Sequence, residues 1–312
     1  MRKCILLFCF VMLTGLNGQG KDLQFGFETD DRFDKELGSI IRKLELDKDF
    51  NVGEDGIEQI SFAVVDLTGD KPVLGGFKPE NLIYPASVYK MYVAATILWQ
   101  ISEGMYRLET SHIVKEHNAV DRTREIKWDP RPLLAGGDTV TIGYLLDLMI
   151  TRSDNSAANC LIDVATRPGI NKLIKIYGWE GSEVTRKFLK RKLEDPGYTE
   201  VPSTMTCGLH AADFLYKIYN NELINEWVSR QMMTLLGRQL DKSKLAQGLP
   251  GSAMYYHKTG WFSYWTHDVG IVADGEVKYV IACFLPIEEE KALPIMKELS
   301  RRVFDLMKKG TN

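Results

Sequence analysis

Pro85-Ala86-Ser87-Val88-Tyr89-Lys90-Met91-Tyr92-Val93-Ala94-Ala95-Thr96-Ile97-Leu98-Trp99-Gln100-Ile101 is the stretch on which the reading of this chain turns. From Ser87 onward, Val88, Met91, Val93, Ala94, Ala95, Ile97, Leu98 and Ile101 fall nearly all round a helical wheel. That pattern predicts a helix buried on every side, so the rest of the chain must supply walls around it. Two polar residues open the helix. Ser87 and Lys90 are i, i+3 and share one helical face, with the hydroxyl at the positive end of the helix dipole. A lysine beside a serine can take its proton when burial or a second cation disfavours the ammonium form, which makes Ser87 a candidate nucleophile. Ser-x-x-Lys also arises by composition about once per 300 residues, so it needs corroboration elsewhere.

The walls are legible on both sides. Residues 30–46 carry Phe33, Leu37, Ile40, Ile41 and Leu44 at helical spacing. Residues 57–67 and 71–77 are β-rich and separated by Thr68-Gly69-Asp70, which reads as a hairpin. Helical patterns then dominate, at about 141–151, 154–166, 169–177, 207–220 and 225–236. Residues 253–258, 267–273 and 277–285 return to β, with Asp274-Gly275 as a tight turn, and Ile295, Met296, Leu299, Val303, Phe304 and Met307 mark a last helix. The expected fold is mixed α/β (α+β): an antiparallel sheet of about five strands flanked by N- and C-terminal helices, with a large all-helical insertion. The expected units are a leader at 1–20, a sheet domain at 21–84 plus 250–312, and a helical domain at 85–249.

Composition narrows the classes. The chain has 312 residues, 45% apolar and 26% charged, with 39 Lys+Arg against 42 Asp+Glu, a formal net charge of −3. Losing residues 1–20 would remove Arg2 and Lys3 and leave −5. A slightly acidic chain lacks the broad basic surface of a nucleic-acid binder. Arg2 and Lys3 precede an apolar run from Cys4 to Leu16, and Gly18 and Gly20 are spaced like a cleavage site, so a secretory signal peptide and an exported, periplasmic or secreted protein are expected. The run is too short to span a bilayer, and no membrane association is expected after cleavage. Of five cysteines, Cys160, Cys207 and Cys283 would remain, in apolar surroundings. Three buried thiols are expected, with one pairing left open.

Two further triplets corroborate the serine and lysine. Ser153-Asp154-Asn155 begins a helical stretch and Lys258-Thr259-Gly260 closes a predicted strand, and each has a chance expectation of roughly 0.1 or less in such a chain. Together, and in this order, Ser-x-x-Lys, Ser-Asp-Asn and Lys-Thr-Gly resemble the motif set of class A β-lactamases and penicillin-binding proteins. The run from Tyr144 through Ser153 to Asn159 looks like the class A segment around its Ser-Asp-Asn loop. The separations are similar too, with Ser153 lying 66 residues after Ser87 and Lys258 lying 103 after Asn155. The resemblance covers essentially the whole mature chain.

That resemblance implies roles. Ser87 would attack an amide or lactam carbonyl, and Lys90 would take its proton. Ser153 would relay a proton to the leaving nitrogen, and Asn155 would hold the substrate's side-chain amide. Lys258 and Thr259 would bind a substrate carboxylate. Backbone N–H groups of Ser87 and Trp261 would form the oxyanion hole. Gly260 would leave room for a substrate lying edge-on against the strand. No cofactor or metal is implied. The implied partners are small β-lactams or D-Ala-D-Ala-type peptides, and a monomer is expected.

The pattern breaks at one place. Class A enzymes carry an Ω-loop Glu, in E-x-x-L-N, that activates the deacylating water. Here the comparable stretch is Val184-Thr185-Arg186-Lys187-Phe188-Leu189-Lys190-Arg191-Lys192-Leu193-Glu194-Asp195. Anchoring on Val184-Thr185-Arg186 puts Arg191 at the Glu position, and counting back from Met205 puts Leu189 there. Neither can take a proton from water at neutral pH. Glu194, with Asp195 second, is the nearby acid that would serve if the loop folds differently. The basic run within this stretch reads as a solvated face, or as a surface for an acidic polymer.

Other constellations are weaker. Trp261, Phe262, Tyr264 and Trp265, with Tyr255 and Tyr256, would either line a cleft or alternate into the core. His267-Asp268 suggests a Ser-His-Asp triad only faintly, since there is no G-x-S-x-G elbow. Strand alternation would turn His257 away from the face of Lys258. His112 and His117 lack a metal-binding pattern, and His210 reads as a packing or surface residue. The expected function is a class A β-lactamase-like serine hydrolase working through an acyl-serine. A penicillin-binding D,D-peptidase-like enzyme and a non-turnover β-lactam-binding or sensing module are the alternatives.

Overall fold

A computed structural model describes residues 25–123, 126–189 and 201–310. The expected leader at 1–20 and the acid Glu194 lie outside these residues. Among the described residues the strands are β1 (Glu28–Thr29), β2 (Phe50–Asn51), β3 (Ile57–Glu58), β4 (Ser61–Asp66), β5 (Val73–Phe77), β6 (Ser111–Ile113), β7 (Thr139–Thr141), β8 (Met254–Phe262), β9 (Trp265–Asp274) and β10 (Val277–Leu285). The α-helices are α1 (Asp31–Lys43), α2 (Lys90–Ser102), α3 (Ile142–Thr151), α4 (Asn155–Ala165), α5 (Arg167–Ile176), α6 (Gly208–Tyr219), α7 (Glu226–Gly237) and α8 (Glu289–Gly310).

The main sheet has six strands in the order β1-β5-β4-β10-β9-β8. All its pairings are antiparallel except β1 with β5. The sixth strand, β1, is a two-residue edge too short to leave an alternating pattern in the sequence. The expected hairpin strand at 57–67 is also divided. Val52 N bonds Gly56 O at 2.9 Å, folding Ile57–Glu58 back onto Phe50–Asn51, and the long strand starts only at Ser61.

Burial on both faces explains why the central strands read as nearly unbroken apolar runs. On β4, Phe62 and Val64 pack with Leu37, Ile41, Met296, Leu299 and Val303 of the terminal helices α1 and α8. Ala63 and Val65 face the opposite core, which contains α2 through α7. At ~25 cal/mol per Å² of buried apolar area, these two layers are the dominant favourable contribution to folding. The cysteines Cys160, Cys207 and Cys283 sit unpaired in this interior.

Helix starts follow local chemistry. Asp30 caps α1, accepting from Arg32 N at 2.7 Å and Phe33 N at 3.1 Å. Asp154 caps α4 through Ala157 N at 2.7 Å. The stretch at 87–101 departs from the single expected helix. Residues Ala86–Tyr89 form a 3₁₀ turn, Ala86 has φ +44°, and the α-helix begins at Lys90. Ser87 thus sits on a tight turn ahead of the helix that carries Lys90. From there, Lys90 to Leu98 are all buried.

Candidate active site

Three segments meet at the start of α2. The 3₁₀ turn presents Ser87, which remains half-buried while its neighbours Ala86, Val88, Tyr89 and Lys90 are buried. The turn between α3 and α4 brings Ser153, and β8 brings Lys258 and Thr259.

Ser153 is the meeting point. Its backbone is left-handed, φ +62°, a conformation that disfavours any side chain bearing a Cβ and so marks a site held by its surroundings. Lys90 Nζ donates to Ser153 O at 2.5 Å, to Ser153 Oγ at 3.2 Å and to Asn155 Oδ1 at 2.8 Å. Lys258 Nζ donates to the same Ser153 Oγ at 2.9 Å and to Thr259 O at 2.7 Å. Both lysines are fully buried. The sequence therefore brings Ser87, Lys90, Ser153, Asn155, Lys258 and Thr259 to one place.

One expectation about β8 changes, and Gly260 gains a packing role. Lys258-Thr259-Gly260 does not close the strand, which continues through Trp261 and Phe262, paired with Thr266 and Trp265 of β9. Gly260 is required by packing within the protein. A Cβ there would meet Pro85 O at 2.9 Å, Val88 Cγ2 at 3.1 Å and Ser87 N at 3.2 Å. The missing side chain lets β8 lie against the peptide that carries Ser87. Trp261 and Phe262 are exposed beyond it, whereas Tyr255 and Trp265 are buried, so the aromatics divide between surface and core.

Asp121 is a site residue that sequence reasoning missed. Its carboxylate accepts from Asn155 N at 2.7 Å, Asn155 Nδ2 at 2.9 Å and Ser156 N at 2.9 Å. It thereby satisfies N–H groups at the start of α4 and fixes the Asn155 amide, with its oxygen toward Lys90. Asp121 lies in irregular chain, where no periodicity points to it.

Behind the Ser153 turn is a network that also left no sequence signal. Arg152 pairs with Asp154 at 2.7 Å and donates to Arg131 O and Pro132 O, both at 2.8 Å. Arg131 in turn grips Asp129 at 2.8–3.1 Å and bonds Thr151 Oγ1 at 3.0 Å. Desolvation pushes the Asp129 carboxyl up, but Arg131 and Arg152 outweigh it and hold it down at about 2. Burial, reinforced by the charge of Asp121, pushes Asp154 above its ordinary range.

The segment up to Leu189 is anchored firmly. Phe188 N donates to Asn159 Oδ1 at 2.8 Å and Tyr89 Oη donates to Arg186 O at 3.1 Å. Lys187 bonds Asn118 Oδ1 at 3.0 Å and pairs with Asp163, so this part of the basic run is built into the structure. Phe188 lays its ring over Lys90, with Nζ 4.1 Å from the ring centroid, and stacks on Tyr89 at 4.9 Å. Arg191 and Glu194 lie outside the described residues. Leu189, the other position aligned with a water-activating acid, is half-buried.

His257, His267 and His210 have structural partners. His257 Nδ1 donates to Asp268 Oδ1 at 2.8 Å, and its Nε2 accepts from Lys242 at 3.0 Å, apart from the bonds of Lys258. His267 Nε2 donates to Tyr84 O at 2.8 Å, and its Nδ1 accepts from Leu285 N at 3.2 Å. Asp268 thus serves His257, and His267 ties strands together without joining a serine triad. His210 is buried and bonds Ser182 Oγ at 2.8 Å.

Known structures share this architecture. A β-lactamase from Sphaerobacter thermophilus DSM 20745 superposes with a TM-score of 0.74 at 17% identity, covering 88% of this chain and 98% of its own. PBP-A gives a TM-score of 0.73 at 17% identity, covering 91% and 98%. The extended-spectrum β-lactamase TLA-1 gives 0.72 at 18% identity, covering 88% and 98%. No curated protein matches the sequence significantly. The sequence itself matches the family described as "Beta-lactamase enzyme family" over residues 43–307, and the chain belongs to that family.

Proposed function

We propose that the protein is a serine amide hydrolase that opens β-lactams through an acyl-Ser87 intermediate. The observation that carries this reading is the convergence of two buried lysine side chains on the Ser153 hydroxyl, one of them Lys90, three residues after Ser87. A hydroxyl has two acceptor lone pairs and one hydrogen. With lysines donating to the oxygen, the Ser153 hydrogen is left to point away from them and is made more acidic by their charge.

The proton path follows. Neutral Lys90 accepts the Ser87 proton as Oγ bonds the carbonyl carbon. Charge developing on the carbonyl oxygen meets the backbone N–H groups of Ser87 and Trp261. As the C–N bond breaks, Ser153 gives its proton to the leaving nitrogen and regains one from Lys90 along their hydrogen bond. Lys258 and Thr259 attract the substrate carboxylate. The second Nδ2 hydrogen of Asn155 is available for the substrate's amide carbonyl. A mutant of PBP-A, a structural neighbour, was solved as an acyl-enzyme complex with penicillin G, which supports the same class of ligand here.

A second reading, a penicillin-binding D,D-peptidase acting on D-Ala-D-Ala-type peptides, is favoured by one observation. Among the described residues of the segment where class A enzymes place their water-activating Glu, the Phe188 ring packs on Lys90, and the sequence of that segment carries no E-x-x-L-N. Slow release of the acyl group is therefore expected, with Glu194 the acid that would accelerate it. Incubation with benzylpenicillin, followed by intact mass and by product assay, tests both readings. An adduct on Ser87 with little product favours the peptidase, and rapid product favours the β-lactamase. We assign the working form to an exported monomer, cut after the leader, with a sheet domain and a helical domain meeting at Ser87.

A further inference from the structure

Lys90 must be neutral to accept the Ser87 proton, so whatever favours its ammonium form delays acylation to higher pH. The surroundings of Lys90 include several charges. Lys258 of β8 shares Ser153 Oγ, Asp121 stands behind Asn155, Asp154 caps α4, and Arg186 and Lys187 precede Phe188 in sequence. Lys258 disfavours the ammonium form and the two carboxylates favour it.

The Phe188 ring adds a different kind of contact. Its face lies over the ammonium, with Nζ 4.1 Å from the centroid. The negative face of an aromatic ring attracts a cation and has no such attraction for a neutral amine. The ring is also held in place. It stacks on Tyr89 at an interplanar angle of 5°, and its backbone is bracketed by Asn159, which accepts from Phe188 N at 2.8 Å and donates to Phe188 O at 3.3 Å. Lys187, just before it, is fixed by Asn118 and Asp163.

We propose that Phe188 is a positioning residue that holds Lys90 as a buried ammonium and so sets the pH at which Ser87 becomes acylated. Its contact is with Lys90, and it acts through that contact without itself exchanging a proton. Its effect on acylation rests on the acyl-Ser87 reading above, but its effect on Lys90 does not. In the step concerned, the Ser87 O–H bond breaks, the proton moves to the Lys90 lone pair, and the Oγ electron pair forms the bond to the carbonyl carbon.

The test is a titration of the full-length mature protein carrying ¹³C-labelled lysine, with the Lys90 signal assigned through Lys90→Arg. Phe188→Leu keeps apolar bulk without the ring's negative face, and Phe188→Tyr keeps the ring. The Lys90 midpoint should fall by about half to one pH unit in Phe188→Leu and stay at the parent value in Phe188→Tyr. The acidic limb of benzylpenicillin acylation should move down by the same amount. An unchanged or higher midpoint in Phe188→Leu would overturn the proposal, as would an equal shift in both variants. If the parent forms no penicillin adduct, the acyl-serine reading fails, while the lysine titration still decides the role of Phe188.

Discussion

Lys258 Nζ lies 2.9 Å from Ser153 Oγ, joining two residues 105 positions apart and tying the edge strand β8 to the turn before α4. Lys90 donates to the same oxygen from a third element, α2. The Ser153 hydroxyl is thus the keystone between sheet and helices as well as the proposed proton carrier.

Replacing Ser153 separates these roles. Ser153→Gly suits the left-handed backbone, φ +62°, so the protein should still fold. Formation of the benzylpenicillin adduct should slow by about 10²- to 10⁴-fold, the range of a lost general acid or base. Stopped-flow acylation rates check this, and a rate within threefold of the parent would remove Ser153 from the proton path.

Gly260→Ala tests the contact between β8 and the nucleophile turn. Its Cβ would press on Pro85 O at 2.9 Å and Ser87 N at 3.2 Å, so one segment must shift. We expect a loss of roughly 1–3 kcal/mol in stability, the usual range for overpacking, and a slowing of acylation of tenfold or more. Urea unfolding and adduct kinetics on the same sample would show both.

The network behind Ser153 should give acid sensitivity. Asp129 is buried, and its carboxyl is held at about 2 by Arg131 and Arg152 against desolvation. A depressed carboxyl gives stability that is present above its unfolded value near 3.9 and is lost as pH falls through the folded value. Asp129→Asn should therefore flatten the stability curve between pH ~4 and ~2. At neutral pH it should destabilise by on the order of 3 kcal/mol, because two arginines lose their buried partner. Denaturant midpoints measured across pH decide this.

The buried histidines act in a higher window. Desolvation lowers His210 to about 4 and His267 to about 3, and burial also lowers His257 although Asp268 opposes it. All three fold neutral, so below about pH 6.5 the unfolded chain binds more protons than the folded one. Their stability is present above that pH and drains away as pH falls, by up to about 1.4 kcal/mol per unit for each histidine. His210→Gln should reduce the slope of stability against pH between about 6.5 and 4. An unaltered slope would show that His210 is protonated in the folded state.

Much of this was readable from the chain. Helices such as α3 and α7, and the strand β10, follow apolar periodicity closely, because each buries a face against a large core. Ser87, Lys90, Ser153 and Lys258 stood out in the sequence because three motifs occur in a fixed order, and the fold brings Lys90 and Lys258 onto Ser153. What escaped was set by long-range contact. Asp121 becomes important only when the chain folds it onto Asn155, 34 positions away. Phe188 looked like an ordinary apolar residue until α2 brought Lys90 beneath it. Gly260 was read as space for substrate, and its packing on Pro85 and Ser87 emerged only with the fold. Similarly, β1 is held by pairing with β5 and has no pattern of its own.

The most direct test of the central claim is a time course of intact-protein mass for the parent and Ser87→Ala after mixing with excess benzylpenicillin. The account predicts that the parent gains the mass of one ring-opened penicillin on the peptide containing Ser87, that the adduct is released slowly, and that Ser87→Ala gains nothing. An adduct that persists in Ser87→Ala, or a parent that forms neither adduct nor product, would contradict it.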